Sequence, residues 1–258
     1  MIPRLSAPTL VLCVWLAVCA ATSSAPPPTL AGIAVGSSVL DAEKRFGFPD
    51  VAATTDFGSY WQWSDRDGLD REVFTGDDLT VLSVLVAPAR PGSTAQPSEA
   101  PMLGIDVSKA AAGAASAGAG PTIAKPSTPG IIVWPLGSGY LAAETDGKTV
   151  VRLRVLEASS AQRWGFAGDP LATPSHTAAA MVKEVIAHPL PDGVGQDLIL
   201  VSLDANAKVT DAKVIVPSGQ TAVDRFAVQC VRLSLFKAAT CAGVPCAGTY
   251  IYSGGISR

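Results

Sequence analysis

Histidine occurs only twice in the 258 residues, at His176 and His188, and Asp, Glu, Lys and Arg together make up just 16% of the chain. Histidine is the side chain that most readily serves as acid, base or metal ligand near neutral pH, so little of that chemistry is on offer. There is no excess of positive charge: 19 Lys and Arg stand against 22 Asp and Glu, for a formal net charge of −3. A nucleic-acid binder needs a basic face to meet phosphates, and that class is excluded. Nor is there an apolar run of about 20 residues of the kind that spans a bilayer as a helix. What the chain does have is 48% hydrophobic residues, 24 Gly and 20 Pro. It can bury a core, and the aperiodic Gly and Pro suggest several small folded units joined by loose segments.

Arg4, the apolar stretch Leu10 to Ala21 and the following Pro26-Pro27-Pro28 have the layout of a secretory signal peptide over residues 1–25. Val18-Cys19-Ala20 supplies small residues for cleavage, which places the rest of the chain in the periplasm or outside the cell. Two alternatives remain open: an uncleaved anchor beginning near Ala7, and lipid attachment at Cys19 after Leu16-Ala17-Val18. A membrane partner follows only from one of these two.

Gly32-Ile33-Ala34-Val35 and Gly104-Ile105-Asp106-Val107 open two segments that look like copies. In the first, Ser37 or Ser38 caps a predicted helix carrying Val39, Leu40, Glu43 and Phe46, which Gly47 and Pro49 stop. Strands are predicted at Ser59–Trp63 and Leu79–Val86, with Asp65-Arg66-Asp67-Gly68 as a turn. In the second, the helix is rich in Ala and Gly, and strands are predicted at Gly139–Ala143 and Thr149–Leu156 around Asp146-Gly147. Residues 31–88, and more weakly 102–158, resemble the SmpA/OmlA-type outer-membrane lipoprotein module. Linkers are expected at 88–101 and 159–178.

The last 80 residues predict strands over Asp197–Asp204 and Lys208–Val216, then a helix opened by Thr221 and Asp224, and a final strand over Gly248–Ser253. The helix has Val223, Phe226, Ala227, Cys230 and Val231 at helical spacing. Val201-Ser202-Leu203-Asp204, Val209-Thr210-Asp211-Ala212-Lys213-Val214, Ser218-Gly219, Asp224-Arg225-Phe226-Ala227, Phe236-Lys237-Ala238-Ala239 and Gly243-Val244-Pro245 follow one another in the order that resembles the TonB C-terminal domain family, over about residues 183–255. The resemblance implies a small sheet with one helix on it, whose edge strand pairs with an extended peptide segment of an envelope protein such as an outer-membrane receptor. Carried over by position, the partner-binding edge is Thr249, Tyr250, Ile251, Tyr252 and Ser253. The chain departs from the family pattern in having folded segments where a long spacer belongs, so the resemblance implies recognition rather than force transmission. A second copy pairing at the same edge, giving a homodimer, is the structural alternative.

The expected fold class is therefore α+β, with small antiparallel-sheet modules in tandem: residues 29–88, 102–158, and a strand-strand-helix-strand domain over 179–258. Beyond residues 1–25, three cysteines remain. A bridge between Cys241 and Cys246 is favoured, with Cys230 to Cys241 as the alternative. No metal is expected, because neither His176 nor His188 stands at a recognisable spacing from the cysteines. Asp65, Asp67 and Asp70 around Gly68 lack the spacing of a calcium loop, and Gly137-Ser138-Gly139 lacks the outer glycines of a nucleophile elbow. No catalytic residues and no cofactor are expected, and the reading is of an exported binding protein; energy transduction for outer-membrane transport and a structural lipoprotein of the envelope are the alternatives.

Overall fold

A computed structural model of the chain describes residues 25–90, 100–122, 130–166 and 176–256. The expected signal segment thus lies outside the described residues, apart from Ala25. Among the described residues no helix is long and apolar enough to cross a membrane.

The chain opens with a short hairpin, β1 (Thr29–Leu30) and β2 (Ile33–Ala34), and helix α1 (Val39–Phe46), followed by a meander of β3 (Val51–Thr55), β4 (Gly58–Arg66), β5 (Leu69–Thr75) and β6 (Val81–Pro88). Helix α2 (Val107–Ser116) precedes a second meander, β7 (Ile131–Leu136), β8 (Gly139–Thr145) and β9 (Val150–Glu157), and then α3 (Ala158–Arg163). The C-terminal part contains β10 (His176–Thr177), β11 (Ala180–Lys183), β12 (Gly195–Leu203), β13 (Val209–Val216), α4 (Thr221–Leu233), β14 (Leu235–Lys237), β15 (Ala239–Cys241), β16 (Val244–Cys246) and β17 (Gly248–Ile256).

Both helices of the N-terminal half begin on an extended residue whose side chain takes a backbone N–H: Ser38 accepts from Leu40, and Asp106 from Ser108. Each cap also bridges to the start of a strand, Ser38 opposite Thr80 and Asp106 opposite Thr149. The two segments therefore share a local plan. They do not, however, form separate modules. Their strands make one seven-stranded antiparallel sheet in the order β3-β4-β5-β6-β9-β8-β7, joined where Ser83–Val86 pairs with Leu153–Leu156.

This corrects the expected tandem of small α+β modules. β6 and β9 each carry apolar side chains on both faces, with Val84, Leu85 and Val86 buried on one strand and Val155 and Leu156 on the other. Such runs suit central strands, which need a neighbour on each edge and cover on each face. Hydrophobic periodicity identifies the strands, and only their burial in three dimensions identifies which edges meet. One face of the sheet carries Trp61, Trp63, Val73, Leu141 and Leu153 in a core shared with α1 and α2. Over the other face α3 and the residues after it bring Ala161, Trp164 and Phe166 against Val133, Ala142 and Leu156, so the stretch expected as linker over 159–178 includes a packed helix.

The C-terminal part forms a three-stranded sheet, β13-β12-β17. Ile199, Val201 and Leu203 face α4 through Ala227 and Val231. The opposite face is covered in part: Leu198, Val216 and Ile251 belong to the same core as Trp61 and Trp63, while Asp211, Lys213 and Ser253 are exposed. Helix α4 begins at Gln220 without a side-chain cap, and the expected pairing of Thr221 with Asp224 is replaced by Asp224 Oδ1 accepting from the Ser218 N–H at 2.8 Å.

Because one core runs through both halves, Leu153→Ala, at a buried position of the seam, is expected to cost about 2–5 kcal/mol. Its unfolding by tryptophan fluorescence and by hydrogen exchange of the β12 amides is expected to shift together. A shift in fluorescence alone would show that the C-terminal sheet folds independently.

Candidate functional site

β17 pairs along its whole length with β12, from Gly195 opposite Ile256 to Leu203 opposite Gly248, which leaves its other edge without a ladder partner. In an antiparallel strand the backbone groups of alternate residues point to alternate edges. The Ile251 N–H points outward, and with it those of Thr249 and Ser253. The five residues Thr249 to Ser253 thus lie on a sheet edge, which faces β3, the edge strand of the large sheet.

The two edges do not form a ladder. The Ile251 N–H donates instead to Thr54 Oγ1 at 2.7 Å, and Thr249 Oγ1 donates to Asp77 Oδ1 at 2.9 Å. Between the edges runs an open groove of about 340 Å³, lined on one side by Ala52, Ala53 and Thr54 and on the other by Tyr250 to Ser253, with Met181 and Glu184 at one end. The small side chains of β3 leave this space, and one threonine hydroxyl spans it.

The tyrosines set the polar character of the groove. Tyr252 Oη donates to Glu184 Oε1 at 2.7 Å. Burial, and then this carboxylate, hold the Tyr252 phenol far above its ordinary range; burial followed by Glu184 also raises Tyr250. Both phenols are therefore neutral donors at physiological pH. Tyr250 packs edge-on against Phe236, with ring centres 5.6 Å apart, which holds it against β14. The groove offers hydrogen-bond donors, acceptors and apolar surface.

At the far end of the strand, Asp197 on β12 lies opposite Gly254 and is fully buried. Neither of its carboxylate oxygens has a hydrogen bond of good geometry among the described atoms, although the Gly254 and Asp197 backbone N–H groups lie near enough to favour the charged form. A Cβ at position 254 would come within 2.4 Å of Asp197 Oδ1, so only glycine leaves room for the carboxylate. Burial, and secondarily the nearby Asp224 carboxylate, push the Asp197 pKa up to about 6, while the Gly254 backbone N–H opposes the shift.

The other residues singled out from the sequence are placed as follows. Cys241 and Cys246 are joined by a disulfide across the β15–β16 hairpin, and Cys230 is a free, buried thiol on α4. His176 lies beside that disulfide, and its Nδ1 is 2.8 Å from the Asp56 carbonyl; the spacing in sequence gave no sign of this neighbourhood. Asp65 and Asp70 are drawn together only by the turn, the Asp65 N–H donating to Asp70 Oδ1 at 2.8 Å. Strand β3, which forms one wall of the groove, was missing from the expected strands. Its signal, Val51 and the adjacent Thr54-Thr55 before Asp56-Phe57-Gly58, was present but weak.

No family model matches the chain, and no curated protein matches it. Two solved structures share limited likeness. One is a cysteine-rich secretory protein from Staphylococcus aureus, 15% identical, covering 54% of this chain and 50% of its own, with a TM-score of 0.36. The other is an extracellular protein containing an SCP domain from Bacillus anthracis, 12% identical, covering 50% and 46%, with a TM-score of 0.35. The chain thus spans about half the length of these structures, and likeness of this extent assigns it neither fold nor activity. The expected membership of the TonB C-terminal domain family, and the fainter likeness to SmpA/OmlA-type modules, are corrected: no family model matches the chain over either stretch. Short loop motifs in the right order are compatible with many strand-strand-helix-strand arrangements, which is why they misled.

The buried carboxylate makes stability depend on pH. With its folded pKa raised above the unfolded value, Asp197 holds a proton in the folded chain that the unfolded chain has already released between about pH 4 and 6. Its contribution therefore favours folding at low pH and is lost as pH rises through about 6. Asp197→Asn is expected to flatten this dependence and raise the denaturation midpoint above pH 6, measured by urea unfolding between pH 4 and 8; an unchanged slope would show that Asp197 is not the group responsible.

Proposed function

We propose that this is an exported protein that works by binding rather than by catalysis, and that its ligand is an extended peptide segment of another cell-envelope protein, taken up along the β17 edge at Thr249 to Ser253. One observation carries this reading: the outward backbone of β17 borders an open groove, and Ile251 spends its ladder donor on a single threonine side chain. An incoming strand would replace that one bond with a run of backbone hydrogen bonds, and the pockets beside Tyr250 and Tyr252 would select its alternate side chains. Export is supported by the layout of residues 1–25 and by a disulfide of the kind that persists in oxidising compartments.

Selection of a displayed random dodecapeptide library on the full chain tests the site. Ile251→Pro removes the outward N–H and is expected to abolish enrichment. Thr54→Val, close in shape but without the competing acceptor, is expected to strengthen binding of the selected peptides several-fold. Peptides that bind all three proteins equally would place the site elsewhere. A chain that is dimeric by light scattering, with dimerisation lost in Ile251→Pro, would show that the edge serves a second copy instead.

A further inference from the structure

The histidine that the sequence leaves isolated is brought by the fold to the only two cysteines bridged among the described residues. β10 pairs antiparallel with β15, which sets His176 directly across from Cys241. β15 then pairs with β16 across the two-residue turn Ala242-Gly243, both with positive φ, and Cys246 closes the disulfide. One ligand atom from each of His176, Cys241 and Cys246 lies within 4.8 Å of the others. His176 and Cys241 are exposed, and Cys246 is partly so.

The imidazole is also oriented. Its Nδ1 lies 2.8 Å from the Asp56 carbonyl oxygen, and since a carbonyl only accepts, Nδ1 carries the proton. In the neutral ring Nε2 is then the atom with a free electron pair. A histidine that ligates a metal through one nitrogen commonly donates its other N–H to such a carbonyl, which fixes both tautomer and ring orientation. The segment bearing the ring is held from two sides: the Ala178 N–H donates to Asp56 Oδ1 at 2.7 Å, and the hydroxyls of Thr177 and Thr240 are hydrogen-bonded at 2.6 Å.

We propose that His176, Cys241 and Cys246 form a zinc site gated by the redox state of the bridge. In the oxidised chain both sulfurs are committed to each other and the site is closed. The reductant is a dithiol: one of its thiolates attacks a bridge sulfur, the Cys241–Cys246 bond breaks to a mixed disulfide, and its second thiol displaces the protein sulfur. The reductant leaves as a disulfide, and two electrons and two protons have passed to Cys241 and Cys246. Zinc(II) then takes both sulfurs as thiolates, with release of those two protons to water, and takes Nε2 of His176 as third ligand. Zn–S bonds of about 2.3 Å and a Zn–N bond of about 2.0–2.1 Å ask for roughly 3.5–3.8 Å between ligand atoms. The sulfurs, on Cα atoms 5.9 Å apart, would part to that spacing by side-chain rotation once the bridge opens. The bridge spans only five positions of a hairpin that backbone hydrogen bonds already close, so opening it releases little loop entropy. Two thiolates and one imidazole leave a fourth position for water or an outside ligand. The proposal stands on residues outside the peptide groove and does not depend on that reading.

Cobalt(II) is the probe, titrated anaerobically into the full chain with Cys13, Cys19 and Cys230 changed to Ser. After reduction with a phosphine, one cobalt per chain is expected, with the intense visible absorption of tetrahedral cobalt and a thiolate-to-cobalt charge-transfer band, both bleached by one equivalent of zinc. The oxidised chain is expected to show neither. His176→Ala keeps the bridge and the hairpin, and is expected to weaken cobalt binding in the reduced chain by more than about 10-fold and to change the visible bands. Equal affinity in reduced His176→Ala and its parent would overturn the assignment of the third ligand, and absence of the charge-transfer band from the reduced parent would overturn the site. Far-UV circular dichroism of the reduced, metal-free chain separates loss of the site from loss of the fold.

Discussion

The antiparallel pairing of β6 with β9 is the constraint on which the rest of the molecule depends. It joins two meanders by their last strands through Val84 opposite Val155 and Val86 opposite Leu153. Either meander alone would expose a central-type strand along one edge, with a ladder unpaired and apolar side chains wet on both faces. Joined, they make a sheet wide enough to bury three tryptophans, Trp61, Trp63 and Trp134, against α1, α2 and the C-terminal sheet. The repeated capped helices fit this pairing, because α1 and α2 each cover the same face of the shared sheet.

A sheet that stays open must deal with its edges, and this chain does so by bringing two of them together. β3 at one end of the large sheet meets β17 at one end of the small one, and the Thr54 hydroxyl rather than ladder bonds connects them, while Thr249 bonds Asp77 in the turn between β5 and β6. The small side chains of Ala52 and Ala53 leave space beside the seam, and Thr54 reaches across. A seam of this kind protects both edges from non-specific pairing while leaving it possible for an extended segment to compete for the outward groups of β17. The other edge of the small sheet, β13, is guarded differently, by exposed Thr210, Asp211 and Lys213.

The same meeting of the two halves organises the cysteine hairpin. The turn between β3 and β4 presents the Asp56 carbonyl to His176 and its carboxylate to Ala178, which ties β10 to the N-terminal sheet as well as to β15. The imidazole is thereby oriented by one half of the chain towards sulfurs carried by the other. Residues 120 positions apart thus share a site.

Much of the local structure was legible. The cap of α1 at Ser37 or Ser38, the turn at Gly68, the apolar runs of β6 and β9, and the alternation along β12 are local signals, because caps, turns and period-two burial depend on neighbours in sequence; the Asp106 cap of α2 was not expected, and the expected cap of α4 is absent. The short or small-residue strands, β3 above all, were not legible, because Ala and Thr at an edge bury too little to leave a pattern. The order of loop motifs suggested a family that the comparisons do not support, since such wording reflects turn chemistry that many folds share. Local signals therefore set the cap of α1, the turn at Gly68 and the strands β4, β6, β8, β9, β12, β13 and β17, whereas β5, a central strand of the large sheet, was not among the expected strands. The tertiary structure alone decided that two repeats share one sheet, that the C-terminal sheet packs into the same core, that β17 faces a groove rather than solvent, and that His176 stands beside Cys241. These depend on which edges and faces meet, and strand pairing between distant segments is decided by the burial of the whole core rather than by any local run of residues.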